Sequence, residues 1–305
     1  MTILKKETKG NITVYTVKKN FDDEKMAKII SKFVQPSMID FILKEDADVY
    51  TEEGKLLLKF RKGVLPKKDI DIFYENIHEF ASLITNQRGS AGGSKNKNLY
   101  ENKPKQSNIF GYFDAWTPTH KIRFKKIGIK QPLEVRECRF NQEWPEKYKE
   151  TIPLIKEVDT LYEKLTPEHY KCQKRKANQT PFRIANTSFT TVTTNMNFRT
   201  AIHTDKGDDP EGFGNLAVIE RGSYTGGETC FPQYGIGADL RTGDILFMDV
   251  HQPHGNLPMK MENKDTVRLS IVCYLRTRIW ERSKGKTVKY REKHNRTIKK
   301  IFGKL

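Results

Sequence analysis

From Pro181 onward the sequence breaks into short β-type runs, and this pattern restricts the choice of fold more than any other. Turns rich in Gly, Asp and Pro separate the runs RIANTSFTTVTTN, NFRTAIHTD, GNLAVIER, ETCFPQYG, GADLR, DILFMDV and VRLSIVCYLR. Many short strands with tight turns are typical of a sandwich or a barrel. Residues 181–278 are therefore predicted to form one β-rich core.

The first half of the chain has a more helical pattern. Apolar residues recur at helical spacing over residues 21–34, 69–84 and 146–165, which predicts three amphipathic helices. Residues 109–116 and 121–129 are predicted as strands. We therefore expect an α+β chain in which N-terminal helices pack on the β core.

Three regions are predicted along the chain. Residues 1–180 form a mixed α/β supporting region, and residues 181–278 form the core. Within the first region, residues 86–108 are rich in Gly, Ser, Asn and Lys and are predicted as a flexible loop. Residues 279–305 are predicted as a basic tail, either an arm or a helix.

Charge indicates the kind of partner. The 305 residues include 55 Lys and Arg against 38 Asp and Glu, a formal net charge of +17. Such an excess favours a polyanion, with DNA or RNA as the expected partner, because basic groups release the counterions of phosphates. The alternative is a lysine-rich composition that serves only solubility. No membrane and no obligate protein partner are predicted.

Compartment is indicated by cysteine usage and hydropathy. The four cysteines are far apart in sequence, without CxxC spacing, which favours free thiols in a reducing compartment. No apolar stretch approaches the roughly 20 residues of a membrane span, and the first residues lack a secretion signal. We expect an intracellular protein, cytoplasmic or nuclear.

A candidate metal site lies in the core region. His203 and Asp205 are two residues apart in a predicted strand, so both side chains would project from one face. A later run ends at His251 and His254, either of which could supply a third ligand. Two imidazoles and one carboxylate form the facial triad that suits non-haem iron(II).

A candidate anion site follows the metal site in sequence. Arg268 and Ser270 are also two residues apart, so one strand face would carry a guanidinium and a hydroxyl that can clamp a carboxylate. The alternative is that Arg268 pairs with a surface acid and Ser270 fills a strand position. The order of HxD, distal His and Arg favours an oxygenase that uses 2-oxoglutarate.

The core segment strongly resembles the TET and J-binding-protein group of 2-oxoglutarate oxygenases. The resemblance covers about residues 183–278 through HTDKGD, GNL, YTGGE, FPQYG, RTGD, HGN and RLS, and RGSAGG at residues 88–93 is also similar. It implies a double-stranded β-helix, iron(II) on His203, Asp205 and His254, and 2-oxoglutarate held by Arg268 and Ser270. The HGN motif is what selects His254 over His251.

The resemblance also implies a reaction. Members of this group use dioxygen and 2-oxoglutarate to hydroxylate the 5-methyl group of 5-methylcytosine or thymine in nucleic acid, and ascorbate is an expected stimulant. The cysteine-rich segment of animal TET enzymes and a J-base-binding module are both missing, so the base preference stays open. The alternatives are hydroxylation of prolyl or lysyl side chains and a non-catalytic nucleic-acid-binding module.

Further residues are candidates for supporting roles. Asn197 and Arg199 alternate with His203 in the predicted strand and could reach the co-substrate, as could Asn195; simple strand decoration is the alternative. Four further residues are predicted to contact substrate, with turn or core roles as the alternatives: Arg88, Asn215, Tyr224 and Asn256. An aromatic ring such as Tyr224 could stack on an extruded base.

Overall fold

The computed structural model describes residues 2–85, 89–93, 105–130 and 133–303. Its strands are β1 (Ile3–Lys9), β2 (Ile12–Val17), β3 (Phe41–Leu43), β4 (Ala47–Thr51), β5 (Leu56–Arg61), β6 (Gln106–Phe113), β7 (Arg136–Glu137), β8 (Thr191–Met196), β9 (Gly214–Arg221), β10 (Tyr224–Gly226), β11 (Thr229–Phe231), β12 (Ile236–Ala238), β13 (Ile245–Met248), β14 (Gly255–Asn256), β15 (Met259–Met261) and β16 (Val267–Tyr274). Its helices are α1 (Asp23–Ile29), α2 (Lys67–Ala81), α3 (Pro118–Lys126), α4 (Arg139–Glu143), α5 (Pro145–Leu165), α6 (Pro167–Asn178), α7 (Thr277–Ser283) and α8 (Val288–Phe302).

Two facing sheets build the core. The large sheet has the order β1-β2-β4-β5-β13-β9-β16-β8-β6-β7, and the small sheet has the order β14-β11-β12-β3. Strands from before residue 180 thus share both sheets with strands from after it. The fold is α+β with two opposed sheets, as expected for a double-stranded β-helix, but the predicted border at residue 180 runs through shared sheets.

The large sheet is covered on both faces, which explains why its central strands are almost wholly buried. Along β9, Leu216 and Val218 pack toward the small sheet, whereas Ala217 and Ile219 face the helices. This alternation follows from the two-residue period of a strand. Helix α5 covers the helical side with residues at i, i+3 and i+4 spacing, among them Leu154, Val158 and Tyr162.

The prediction of a strand over residues 121–129 is wrong, because this segment lies mainly in α3. Thr117 caps the helix by accepting a hydrogen bond from the His120 backbone N–H, and Pro118 occupies the first turn. These are strong helix-start signals. The predicted helix over 21–34 is also shorter, since α1 ends at Ile29 and Ser31 has a left-handed φ of 68°.

The predicted tail is mostly helical and packed. It contributes most of α7 and all of α8, whose residues His294, Ile298 and Phe302 are buried. Of the predicted loop 86–108, a 3₁₀ turn at Gly89–Gly92 and the start of β6 are described, whereas Arg88 lies outside the described residues. Among the helices that are described, none is both long and apolar enough to cross a membrane.

Candidate metal and co-substrate site

His203 and His254 meet through an isolated antiparallel bridge between their backbones. Each N–H donates to the carbonyl of the other residue at 2.9 Å, which places the imidazole centroids 4.4 Å apart. The prediction that His203 and Asp205 lie in a strand is therefore wrong. Asp205 instead lies in the loop that follows, where its N–H donates to the Val250 carbonyl at 3.0 Å.

The three side chains converge as a metal site requires. Asp205 Oδ1 lies 3.7 Å from His203 Nε2, and Asp205 Oδ2 lies 3.7 Å from His254 Nε2. All the candidate ligand atoms are within 4.8 Å of one another. One divalent cation could therefore contact all three, although these residues are separated by up to 51 positions in the sequence.

Hydrogen bonds on the far side of each ring fix the histidine tautomers. Nδ1 of His203 contacts the Ala201 carbonyl at 2.7 Å, and Nδ1 of His254 contacts the Gln252 carbonyl at 2.9 Å. A carbonyl only accepts, so each Nδ1 carries the proton and each Nε2 keeps its lone pair toward Asp205. Both rings are thus arranged for coordination through Nε2.

Burial keeps His254 in the neutral form that binds metals. It lowers the pKa of His254 to about 4, and the neighbouring His203 acts in the same direction. The rival ligand, His251, is placed elsewhere, because its Nε2 lies 3.2 Å from the Asp209 carbonyl. The geometry therefore favours His254 as the third ligand.

Arg268 supplies a buried cation beside this triad. Its side chain lines the same cavity of about 420 Å³ as the triad, and its Nε is buried without a hydrogen-bond partner. No carboxylate in the described part of the chain forms an ion pair with it. A buried guanidinium left in this state is suited to an anionic ligand.

Strand β16 builds one wall of the cavity through its alternation. Arg268, Ser270, Val272 and Tyr274, at every second position, all line it. On the neighbouring strand β8, the Asn195 amide donates to the Ser270 hydroxyl oxygen at 3.3 Å. Because that oxygen already accepts a hydrogen bond, the Ser270 proton remains available to a ligand.

The remaining candidate residues are divided between the cavity and its support. Asn256 lines the cavity, where its amide donates to the Gly227 carbonyl at 3.1 Å. The Asn215 amide is turned inside the sheet, where it donates to the Phe213 and Cys273 carbonyls. Asn215 is therefore a core polar residue, contrary to the prediction of substrate contact.

Tyr224 is also placed differently from its prediction. Its ring is buried, with the Arg241 guanidinium 4.5 Å from the ring centroid, and it does not line the cavity. Burial raises the pKa of the Tyr224 phenol, and the nearby Arg268 opposes this rise. Tyr224 thus supports the surroundings of Arg268.

Arg199 and Asn197 hold backbone segments together. The Arg199 guanidinium donates to the Val34 carbonyl at 2.6 Å and lies 4.9 Å from the Phe33 ring centroid. Asn197 accepts from the Arg268 backbone N–H at 2.7 Å and donates to the Thr266 carbonyl at 3.0 Å. Neither contact supports the predicted direct role of these two residues in holding the co-substrate.

Sequence reasoning missed a charged pair in the cavity wall. Asp208 and Arg276 both line the cavity, and Arg276 also binds Asp114 at 2.9 Å. Burial raises the pKa of Asp208 well above its ordinary value, with Asp205 adding to the rise. Asp208 lies in the HTDKGDD motif, and its position three residues after Asp205 was the available signal.

The residues present fit an iron(II) ion and a dicarboxylic acid. Two neutral imidazoles and one carboxylate make a donor set for iron(II), and the buried Arg268 offers a seat for a carboxylate. A two-sheet core with these groups at one cavity is the arrangement of iron(II) oxygenases that use 2-oxoglutarate. Comparison with known proteins identifies the family within this class.

Residues 124–277 match the oxygenase domain of the 2OGFeDO superfamily, in the family Tet_JBP. The bifunctional helicase and thymine dioxygenase JBP2 of Trypanosoma cruzi (strain CL Brener) is 30% identical over 250 residues, covering 79% of this chain and 21% of that protein. The thymine dioxygenase JBP1 of Trypanosoma brucei brucei is 34% identical over 177 residues, covering 57% of this chain and 20% of that protein.

A solved structure has the same fold. NgTET1, in complex with 5mC DNA, aligns with a TM-score of 0.51 over 95% of this chain and 91% of that chain, at 13% identity. The chain belongs to the Tet/JBP oxygenase family, as the sequence resemblance indicated. It spans about a fifth of the length of the JBP relatives named above.

We predict that Asn197 positions Arg268 through the backbone. Asn197 has a left-handed φ of 50°, and its side chain hydrogen bonds to Arg268 in β16 and to Thr266 just before this strand. Asn197→Ala should lower the free energy of unfolding by about 2 to 3 kcal/mol, from strained φ and lost hydrogen bonds. Compared with Asn197→Ala, the variant Asn197→Gly removes only the φ penalty. Its free energy of unfolding, measured by urea denaturation, should be about 1 kcal/mol higher than that of Asn197→Ala. Equal stability of wild type and Asn197→Ala would contradict this role.

Proposed function

We propose that this chain is an iron(II)- and 2-oxoglutarate-dependent dioxygenase that hydroxylates the 5-methyl group of a pyrimidine in DNA. The observation that carries the proposal is the convergence of His203, Asp205 and His254 beside the buried Arg268 in one cavity. Relatives at 30 and 34% identity are named thymine dioxygenases, which favours thymine over 5-methylcytosine. The net charge of +17 suits a polyanionic substrate.

The protein's own groups would hold and shield the reactants. When bound, iron(II) with 2-oxoglutarate and dioxygen supplies the oxidation that converts a methyl C–H into C–OH, releasing succinate and carbon dioxide. His203, Asp205 and His254 would hold the metal. Arg268 and the Ser270 hydroxyl would hold the distal carboxylate of 2-oxoglutarate, because both can donate hydrogen bonds to it.

Other parts of the wall would exclude water and orient the base. The cavity has an apolar surface between the two sheets, formed by Leu216, Met248 and Val272. The same wall contains a buried carboxyl group, that of Asp208, and a cationic hydrogen-bond donor, the Arg276 guanidinium. Both groups can hydrogen bond the polar edge of a pyrimidine. The cavity is therefore suited to a planar ligand with an apolar methyl group and a polar edge.

The proposal is tested with duplex DNA that contains thymine and 5-methylcytosine. Wild-type protein is incubated with iron(II), ascorbate and 2-oxoglutarate, and nucleosides and succinate are quantified by mass spectrometry. We expect a hydroxymethyl pyrimidine in stoichiometric proportion to succinate, at a rate at least about 100-fold above that of His203→Ala, because a metal ligand is lost. The same assay on RNA tests the alternative polymer.

Two results would count against the proposal. Succinate without an altered nucleoside would move the substrate to another class, such as a prolyl or lysyl side chain. Hydroxymethyl product at equal rates from wild type and His203→Ala would show that the reaction does not depend on this metal site.

A further inference from the structure

The outer face of α8 carries a row of four cations. Lys289, Lys293, Arg296 and Lys300 follow each other at i, i+4, i+7 and i+11, so they lie within an arc of about 60° on the helix surface. All four are exposed. The row, named here the α8 stripe, extends over about 16 Å at 1.5 Å per residue.

The opposite face of α8 fixes the stripe to the body of the protein. His294, Ile298 and Phe302 are buried, and the His294 ring nitrogen Nε2 contacts the Val135 carbonyl at 2.7 Å. The Phe302 ring packs 4.8 Å from that of Phe124 in α3. The four cations are therefore presented by a packed helix, which reduces the entropy lost when they bind a ligand.

Unlike some exposed lysines, the cations of the stripe have no ion-pair partners among the described residues. None of its four side chains forms an ion pair with a carboxylate in the described part of the chain, whereas exposed lysines elsewhere, such as Lys67 and Lys147, do. The adjoining helix α3 adds exposed Lys125 and Lys126. A fixed row of cations without paired acids is a site of high positive potential.

One residue of the cavity wall also borders α8. Arg136 lines the candidate active-site cavity and, on its other side, a small cleft that it shares with His294, Asn295 and Ile298 of α8. Since a helix with its side chains is about 10 to 12 Å across, the stripe is roughly one helix diameter beyond this cleft. Each nucleotide of a DNA strand advances about 3.4 Å along the helix axis, so phosphates a few steps from the target base reach that distance.

We propose that the α8 stripe binds the phosphate backbone of duplex DNA beside the base that enters the cavity. The inference rests on the proposed function for the identity of the target, but binding to the stripe does not require catalysis. Its four cations can contact up to about four phosphates of the duplex. Contacts of this kind fix position and affinity and carry no sequence information.

The test compares two variants with the same change in charge. The stripe variant is Lys289→Gln/Lys293→Gln/Arg296→Gln/Lys300→Gln. The control variant is Lys9→Gln/Lys55→Gln/Lys68→Gln/Lys156→Gln, which changes four exposed lysines without ion pairs on other elements. Binding of the full chain to a fluorescent, unmodified 30-base-pair duplex is measured by anisotropy over a series of salt concentrations.

Binding is described by the slope of log affinity against log salt concentration, to which each phosphate contact contributes about −0.9. For the stripe variant we expect the magnitude of this slope to fall by about 3 to 4. Its Kd should rise at least about tenfold at 0.1 M salt. The control should change the slope by less than about 1. The double variant Lys293→Gln/Arg296→Gln should give about half the slope change, so the comparison survives if the fourfold variant does not fold.

Each alternative outcome has a distinct meaning. Equal losses in the stripe and control variants would overturn the proposal in favour of a general charge effect, and unchanged binding would overturn it outright. If the stripe variant lost binding to vesicles of anionic phospholipid but kept its DNA binding, the stripe would be a membrane-binding surface. That result would also overturn the proposal. If DNA binding depends on the stripe but no base is hydroxylated, the proposed function fails while the stripe stands.

Discussion

Replacing His254 by Ala should abolish iron(II) binding and turnover, whereas replacing His251 should leave both nearly unchanged. The two histidines are three residues apart, yet only His254 directs Nε2 toward Asp205, at 3.7 Å. Without His254, two ligands remain. We expect the affinity for iron(II) to fall by more than about 100-fold, because even the loss of a group that only hydrogen bonds to a ligand costs about 10- to 100-fold. Anaerobic equilibrium dialysis with iron(II), together with succinate production, measures both effects.

His251→Ala is the matched control for this experiment. Its Nε2 contacts the Asp209 carbonyl at 3.2 Å, so its loss should remove about one hydrogen bond, or about 1 kcal/mol of stability. Iron(II) should raise the melting temperature of wild type and His251→Ala but not that of His254→Ala, because only a folded, intact site binds the metal. If His251→Ala lost iron and His254→Ala retained it, the assignment of the third ligand would be wrong.

The order of the chemistry-bearing residues could be predicted from the sequence, but their backbone setting could not. His203, Asp205 and His254 were found from spacing and from the HGN motif, and the structure brings them together. The predicted strand at His203 is instead a single bridge to His254. Backbone pairing between such distant residues is decided by long-range contacts, which a local pattern does not contain.

The predicted supporting residues show where local patterns mislead. Tyr224 lies in a turn-rich stretch beside glycines, which led to the prediction that it contacts the substrate. Its ring is instead covered by Arg241, 17 positions later in the chain. Asp208 and Arg276 were missed because each looks like an ordinary surface charge in the sequence. Their placement in the cavity depends on the bridge between the segment that follows β16 and the loop after His203.

The same limit applies to the first half of the chain. Strands β4 and β5 extend the large sheet by pairing with each other, and β5 then pairs with β13. A sequence read from one end gives no sign that residues 56–61 will lie beside residues 245–248. The extension matters for the site, because β13 carries Met248 into the cavity wall.

Replacing Arg268 by Met should raise the KM for 2-oxoglutarate by about 100-fold or more, with a smaller effect on kcat at saturation. A buried, hydrogen-bonded charge pair is worth about 3 kcal/mol when one partner is removed, which is about 100-fold in affinity. Met keeps the length and apolar stem of the side chain, so the fold should be retained. Arg268→Lys keeps the charge but loses the planar fork, and should fall between wild type and Met.

Arg221→Met is the control, since Arg221 is an arginine that already has a carboxylate partner, Asp71, at 2.8 Å and lies outside the cavity. It should leave the KM for 2-oxoglutarate within about twofold, because Arg221 does not line the cavity. Loss of its ion pair should cost at most about 1 kcal/mol of stability. Initial rates over a range of 2-oxoglutarate concentrations, and anaerobic titration of the co-substrate, separate binding from chemistry. An unchanged KM in Arg268→Met would mean that the buried Nε of Arg268 serves the fold and that the carboxylate is held elsewhere. The intermediate value for Arg268→Lys would show that the geometry of the guanidinium contributes beyond its charge.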